Sequence, residues 1–135
     1  MGKRAISWIC VLILLSVTAQ AERFRFLHIT DTHIGVTAHH QETRDYIQAF
    51  NALTPQPAFI VNTGDCTELG STEEYKRYRE IMSELRIPLI NVPGNHDVRW
   101  SAIGKEGFAK WLGPLRMHWE RGGYHFFALD STALL

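Results

Sequence analysis

From residue 24 to residue 129, short apolar segments alternate with longer stretches whose apolar residues recur at helical spacing. Phe24 to Ile29 alternates strictly. Phe24, Phe26 and His28 fall on one side and Arg25, Leu27 and Ile29 on the other, the period of a strand entering a core. Tyr46, Ile47, Phe50 and Leu53 predict the buried face of a helix from about Gln41 to Leu53, stopped by Pro55 and Pro57. Ala58 to Val61 reads as a second short strand. Ser71 with Glu74 three residues later is a capping-box pattern, and it opens a helix whose apolar face is Tyr75, Tyr78, Ile81, Met82 and Leu85. Pro88 to Val92 gives a third strand. Phe108, Trp111 and Leu112 predict a short helix over Lys105 to Leu112, ended by Gly113-Pro114. Met117 to Glu120 and Tyr124 to Leu129 flank Arg121-Gly122-Gly123, a hairpin turn. Strands alternating with helices make the fold class α/β.

Residues 1–21 follow another pattern. Lys3 and Arg4 precede an apolar run from Ile6 to Val17, and Ala19-Gln20-Ala21 is a small-x-small cleavage pattern. A signal peptide over residues 1–21 is expected, with the mature chain starting at Glu22 in a secreted or periplasmic setting. The alternative is an uncleaved N-terminus that anchors the chain in a membrane. Only 17 residues separate Arg4 from Glu22, against the roughly 20 that cross a bilayer. No stable membrane span is therefore expected after cleavage.

Residues 22–135 are short enough for one domain. With 45% hydrophobic and 21% charged residues the composition is that of a soluble globular chain. Fourteen basic residues balance fourteen acidic ones without a run of either sign, so no nucleic-acid-binding face is evident. Loss of residues 1–21 would remove Cys10 and leave Cys66 alone. An internal disulfide is then impossible, and stability has to come from the core or from bound metal.

The candidate chemistry lies where each of the first three strands stops. Asp31-Thr32-His33 follows the first strand, Gly64-Asp65 the second, and Gly94-Asn95-His96-Asp97 the third. Residues two apart in an extended segment share a side, so Asp31 and His33 can meet one ion. In a parallel sheet the C-terminal strand ends share one edge, where ligands bind. Three distant segments would thus deliver Asp31, His33, Asp65, Asn95 and His96 to one pocket, with Gly64 and Gly94 fitting tight turns beside it. Oxygen and imidazole ligands suit divalent Mn, Fe or Zn. A carboxylate between two such ions can bridge them, and the pair can clamp a phosphate and acidify a water. Asp97, next to His96, is placed to orient that imidazole.

These three blocks, in this order and each behind an expected strand, resemble the first signature blocks of the calcineurin-like metallophosphoesterases. The likeness covers nearly all of residues 24–135. It implies a calcineurin-like four-layer α/β/β/α sandwich with two mixed sheets, and metal-dependent hydrolysis of a small phosphoester, monoester or diester. It implies two divalent metal ions, with Asp31, His33 and Asp65 at one and Asp65 with Asn95 at the other. His96 would stabilise or protonate the leaving oxygen, with Asp97 behind it. The stretch from Tyr75 to Leu85, followed by Pro88 and the Asn-His-Asp block, looks like the class III cyclic-nucleotide phosphodiesterase branch.

Members of that family continue with a Gly-His block and a Gly-His-x-His block, which add three histidine ligands. The resemblance therefore implies that residues 22–135 are a C-terminally incomplete domain and a poor phosphoesterase alone. Two other readings stand beside it: an inactive truncated fragment, or a secreted metal-binding or interaction module on the same fold. A completing chain stays open as a partner.

Most other conspicuous residues read as structural. His118 and His125 are expected to pack across the hairpin, His39 and His40 to be solvated near a helix start, and His28 to sit at the core edge. Cys66 is expected to be a small buried thiol rather than a nucleophile, since no base is placed beside it. Trp100, Trp111 and Trp119 are expected to fill the core, with Trp100 near enough to Asp97 to border a substrate. Thr67 and Glu68 are expected to cap a turn.

Overall fold

The computed structural model describes residues 22–132; the expected signal segment, residues 1–21, lies outside them. Three short strands, β1 (Leu27–Ile29), β2 (Ile60–Asn62) and β3 (Leu89–Asn91), pair in parallel with β2 in the centre. Leu27 lies opposite Ile60, and Ile60 opposite Leu89, so the three C-terminal ends finish level with one another. Crossover helices α1 (Thr37–Asn51) and α2 (Thr72–Met82) connect them. Two shorter helices, α3 (Asn95–Val98) and α4 (Gly104–Trp111), follow β3. The hairpin strands β4 (Met117–Arg121) and β5 (Tyr124–Ala128) close the described chain.

Helices cover one face of the parallel sheet. Ile34, Ile47, Tyr75, Tyr78, Ile81 and Phe108 are buried there and form the main core. The sequence pattern reads α2 correctly. Ser71 accepts from the Glu74 backbone and Glu74 returns the bond to Ser71, while Tyr75, Tyr78, Ile81 and Met82 are buried. It reads α1 less well. That helix starts four residues earlier than expected, and Tyr46 is 52% exposed, stacked on Phe50 and donating its hydroxyl to Glu42. Leu53 lies beyond the helix end and is also exposed. An open groove of about 490 Å³ beside α1 leaves Tyr46 without a partner layer.

The hairpin packs on the opposite face through aromatic rings. Phe59, just before β2, meets Trp119 at 5.5 Å and Phe126 at 5.2 Å, and Phe26 stacks on Phe59 at 5.0 Å. Gly122 and Gly123 both have positive φ, which a two-residue turn matched to strand twist requires. Among the described residues the layers are therefore helices, parallel sheet and hairpin. This is α/β architecture, with three of the four expected layers represented and β4–β5 pairing only with each other.

A buried polar chain fixes the strand ends. Asn62 at the end of β2 donates to the Tyr78 hydroxyl, which donates to Asn91 at the end of β3. Asn91 in turn donates to the Leu112 carbonyl after α4, and Asn62 accepts from the Gly64 amide. Each member has a partner, so this network fixes the loops that follow β2 and β3 without leaving an unmet polar group.

Candidate metal centre

The loop after β1 is bolted to the loop after β2 by backbone bonds. Asp31 N donates to Gly64 O, His33 N to Asp65 O and Ile34 N to Cys66 O, each at 3.0 Å. Asp31, His33 and Asp65 all have positive φ, at 57°, 42° and 49°. Asp31 and His33 thus do not share a side through extended-strand periodicity, as the sequence pattern implies. Two left-handed residues turn the backbone instead, and the side chains converge by that route. Such conformations are uncommon for non-glycine residues and cluster at functional sites.

The result is a tight donor set. Ligating atoms of Asp31, His33 and Asp65 all lie within 4.8 Å of one another. Asn95, the first residue of α3, lines a cleft of about 220 Å³ with Asp65, Gly64 and Gly94. His96 is adjacent, its backbone N–H donating to Asp65 Oδ1 at 3.0 Å. All five residues are therefore at the sheet's C-terminal edge. Oxygen and imidazole atoms at this spacing fit divalent cations, whose ligand distances are about 2 Å.

Gly64 and Gly94 are needed for different reasons. Gly64 has a φ of 125°, and a Cβ there would lie 2.7 Å from the Gly94 Cα. Gly94 has an ordinary negative φ, but a Cβ on it would come within 2.2 Å of both Asp65 N and Asp65 Oδ1. Close approach of two loops, more than turn geometry, demands both glycines.

The expectation that Asp97 backs the His96 imidazole does not hold. Asp97 is fully buried and its carboxylate is occupied elsewhere. Oδ1 accepts from Thr67 N and Thr67 Oγ1, and Oδ2 from Cys66 N and Gly94 N, at 2.9–3.1 Å. Burial raises its pKa above the usual carboxylate value, against the opposing pull of those bonds. Asp97 is a pin between the β2 and β3 loops. The partner of His96 Nδ1 is instead the Glu68 carbonyl, at 2.7 Å. Adjacency in sequence misled here, because α3 turns residues 96 and 97 to different sides.

Glu68 is the residue that sequence reasoning missed. Its carboxylate Oε2 lies 2.8 Å from His33 Nδ1. The available signal is its position three residues after Asp65, a spacing that also fits turn-capping. Trp100 is 57% exposed rather than in the core, with its ring 4.0 Å from that of His96. Trp111 is half-buried beneath Lys76, Arg79 and Lys110. His39 and His40 lie within α1, and His39 Nδ1 is 3.3 Å from the His33 carbonyl. Cys66 is buried, and desolvation followed by the Asp97 charge pushes its thiol pKa well up, away from nucleophilic use. His118 and His125 are exposed and meet across the hairpin at 3.1 Å.

Residues 24–133 match the family described as calcineurin-like phosphoesterase. The chain belongs to that family. A probable glycerophosphodiester phosphodiesterase from Arcobacter nitrofigilis is 37% identical over 79 residues, covering 53% of this chain and 29% of its own. A glycerophosphodiester phosphodiesterase from Enterobacter lignolyticus is 33% identical over 96 residues, 65% of this chain and 32% of its own. The 3',5'-cyclic adenosine monophosphate phosphodiesterase of Escherichia coli K12 is 32% identical over 109 residues, 73% of this chain and 39% of its own. These relatives agree with the class III branch of the calcineurin-like phosphoesterases. The chain spans about a third of their length.

Proposed function

We propose that this chain supplies one wall of a dinuclear metal site for hydrolysis of a small phosphoester. The observation that supports it most is the convergence of Asp31, His33 and Asp65 on left-handed backbone, on the same edge as Asn95 and His96. In this reading Asp31, His33 and Asp65 hold one divalent ion, and Asp65 with Asn95 holds a second; Mn, Fe and Zn all suit the donors. The ions would supply Lewis acidity toward the phosphate and lower the pKa of water. The chain's own residues do the rest. His96 N–H holds Asp65 Oδ1 and so sets the shared carboxylate's direction. His96 Nδ1 faces a carbonyl, which only accepts, so Nδ1 carries the hydrogen and Nε2 is the nitrogen that exchanges a proton with the leaving oxygen.

Substrate choice between monoesters and diesters belongs to the whole protein; diesters are favoured by the likeness to three relatives named as phosphodiesterases. The test joins this chain in frame to the C-terminal part of one relative and follows bis(p-nitrophenyl) phosphate. Hydrolysis that is lost on chelation and regained with manganese is expected, with far weaker turnover from the chain alone. A joined protein that folds yet neither binds metal nor hydrolyses the ester would sink the reading. Metal uptake by the chain without turnover in either form would leave a metal-binding module.

Export is proposed on the charged start, the apolar run and Ala19-Gln20-Ala21. No helix among the described residues is long and apolar enough to cross a membrane. N-terminal sequencing of protein expressed with its own start should read from Glu22 in the exported fraction. Retained Met1 in a membrane fraction would favour an anchor.

A further inference from the structure

We propose that Glu68 is a positioning residue that fixes the tautomer of His33. Its carboxylate accepts the His33 Nδ1 hydrogen and leaves the Nε2 lone pair directed at the aspartates. The proposal rests on the reading of His33 as a metal ligand and assigns the group that prepares it.

His33 presents its two nitrogens to different partners. Nε2 is 3.6 Å from Asp31 Oδ1, and Nδ1 is 2.8 Å from Glu68 Oε2. The contact at Nδ1 is close in distance but off the N–H line, so this buried nitrogen makes no formed hydrogen bond. Buried polar groups almost always find a partner, and among the described residues none is hydrogen-bonded to this one. Glu68 Oε2, at 2.8 Å, is an acceptor within hydrogen-bond distance of this nitrogen. A neutral imidazole has a single N–H. Placed on Nδ1, it frees Nε2 for a cation; placed on Nε2, it points a hydrogen at the ligand cluster and blocks it. A carboxylate on the far nitrogen of a ligating histidine is a recurrent way to decide between these states.

Glu68 is held in place for this task from several sides. Its amide donates to Ile34 O at 3.3 Å, Thr67 before it is bound to Asp97, and Leu69 after it donates to Glu74 Oε2. Gly35 leaves the space it occupies, since a Cβ on that glycine would lie 2.8 Å from the Glu68 Cβ. The same residue's carbonyl takes the Nδ1 hydrogen of His96, whose ring stands perpendicular to His33 at 4.6 Å. Glu68 thus sets two imidazoles, one through its side chain and one through its main chain. Substitution removes only the first.

The experiment uses the full chain with Glu68→Ala and Glu68→Gln. Imidazole ¹⁵N shifts are read without metal, at a pH about two units above the usual histidine pKa. Wild-type His33 should be the Nδ1–H tautomer; Ala should shift it toward Nε2–H, and Gln, which keeps an acceptor, should shift it less. His96 should stay Nδ1–H in all three. Cobalt affinity should fall about 10- to 100-fold in Glu68→Ala and less in Glu68→Gln. Should Ala fail to fold, the near-isosteric Gln carries the comparison. A His33 tautomer indifferent to the available variants overturns the proposal. Wild-type protein that binds no cobalt while its tautomer still depends on Glu68 overturns the metal reading instead.

Discussion

Asp97→Asn, nearly identical in shape, should destabilise the chain by about 1–3 kcal/mol. The Asp97 side chain is fully buried and receives four hydrogens, two on each oxygen. An asparagine has one oxygen. If it faces Thr67, its amide hydrogens confront the N–H groups of Cys66 and Gly94. If it flips, the Thr67 amide loses its acceptor, and only the hydroxyl of Thr67 can rotate away. The flipped state strands one backbone donor and the other state two, so the flipped state is favoured, and each buried unmet donor costs about 1–3 kcal/mol. A small domain holds only about 5–15 kcal/mol in total. Urea unfolding of wild type and variant would measure it, and a change below about 1 kcal/mol would mean the carboxylate is not the pin described.

Asp65→Asn should have the opposite profile, keeping the fold and losing the metal. Asparagine tolerates the left-handed conformation at residue 65 and still offers an oxygen to the His96 amide. Unfolding of the metal-free variant should therefore match wild type. Metal affinity should drop at least about 100-fold, the upper end of what outer-shell changes cost, since in the proposed site the carboxylate shared by two ions is removed. In the same proposal Asp31 serves one ion, so Asp31→Asn should cost less. Manganese titration followed by electron paramagnetic resonance would rank them. A larger loss at Asp31 than at Asp65 would shift the bridging role to Asp31.

Much of this architecture could be read from residue patterns. The α2 face and its capping box were legible because a single element, with one apolar stripe and a local cap, decides its own structure. The hairpin was legible because Gly122-Gly123 has a dedicated turn chemistry. Helix α1 was misjudged because Tyr46 has helical periodicity but faces an open groove, and periodicity cannot report whether a neighbouring layer exists. The convergence of Asp31, His33, Asp65, Asn95 and His96 was legible from strand ends in a parallel sheet. The means of convergence was not. Left-handed φ at three non-glycine residues leaves no mark in composition, and it depends on backbone bonds between loops more than thirty residues apart. The partners of Asp97 and Glu68 were hidden for the same reason: both act on residues distant in sequence, while sequence reading favours neighbours such as His96.

The three left-handed candidate ligands have a further consequence for how this chain can change. Each holds a side chain in a backbone state that disfavours one, at a cost on the order of 1 kcal/mol. Glycine at residues 31, 33 or 65 would relax that backbone and delete a ligand in the same step. Durability and chemistry therefore pull in opposite directions at these positions. A lineage or a design campaign rewarded only for thermal endurance would drift toward glycine here, and the site would vanish while the fold grew sturdier.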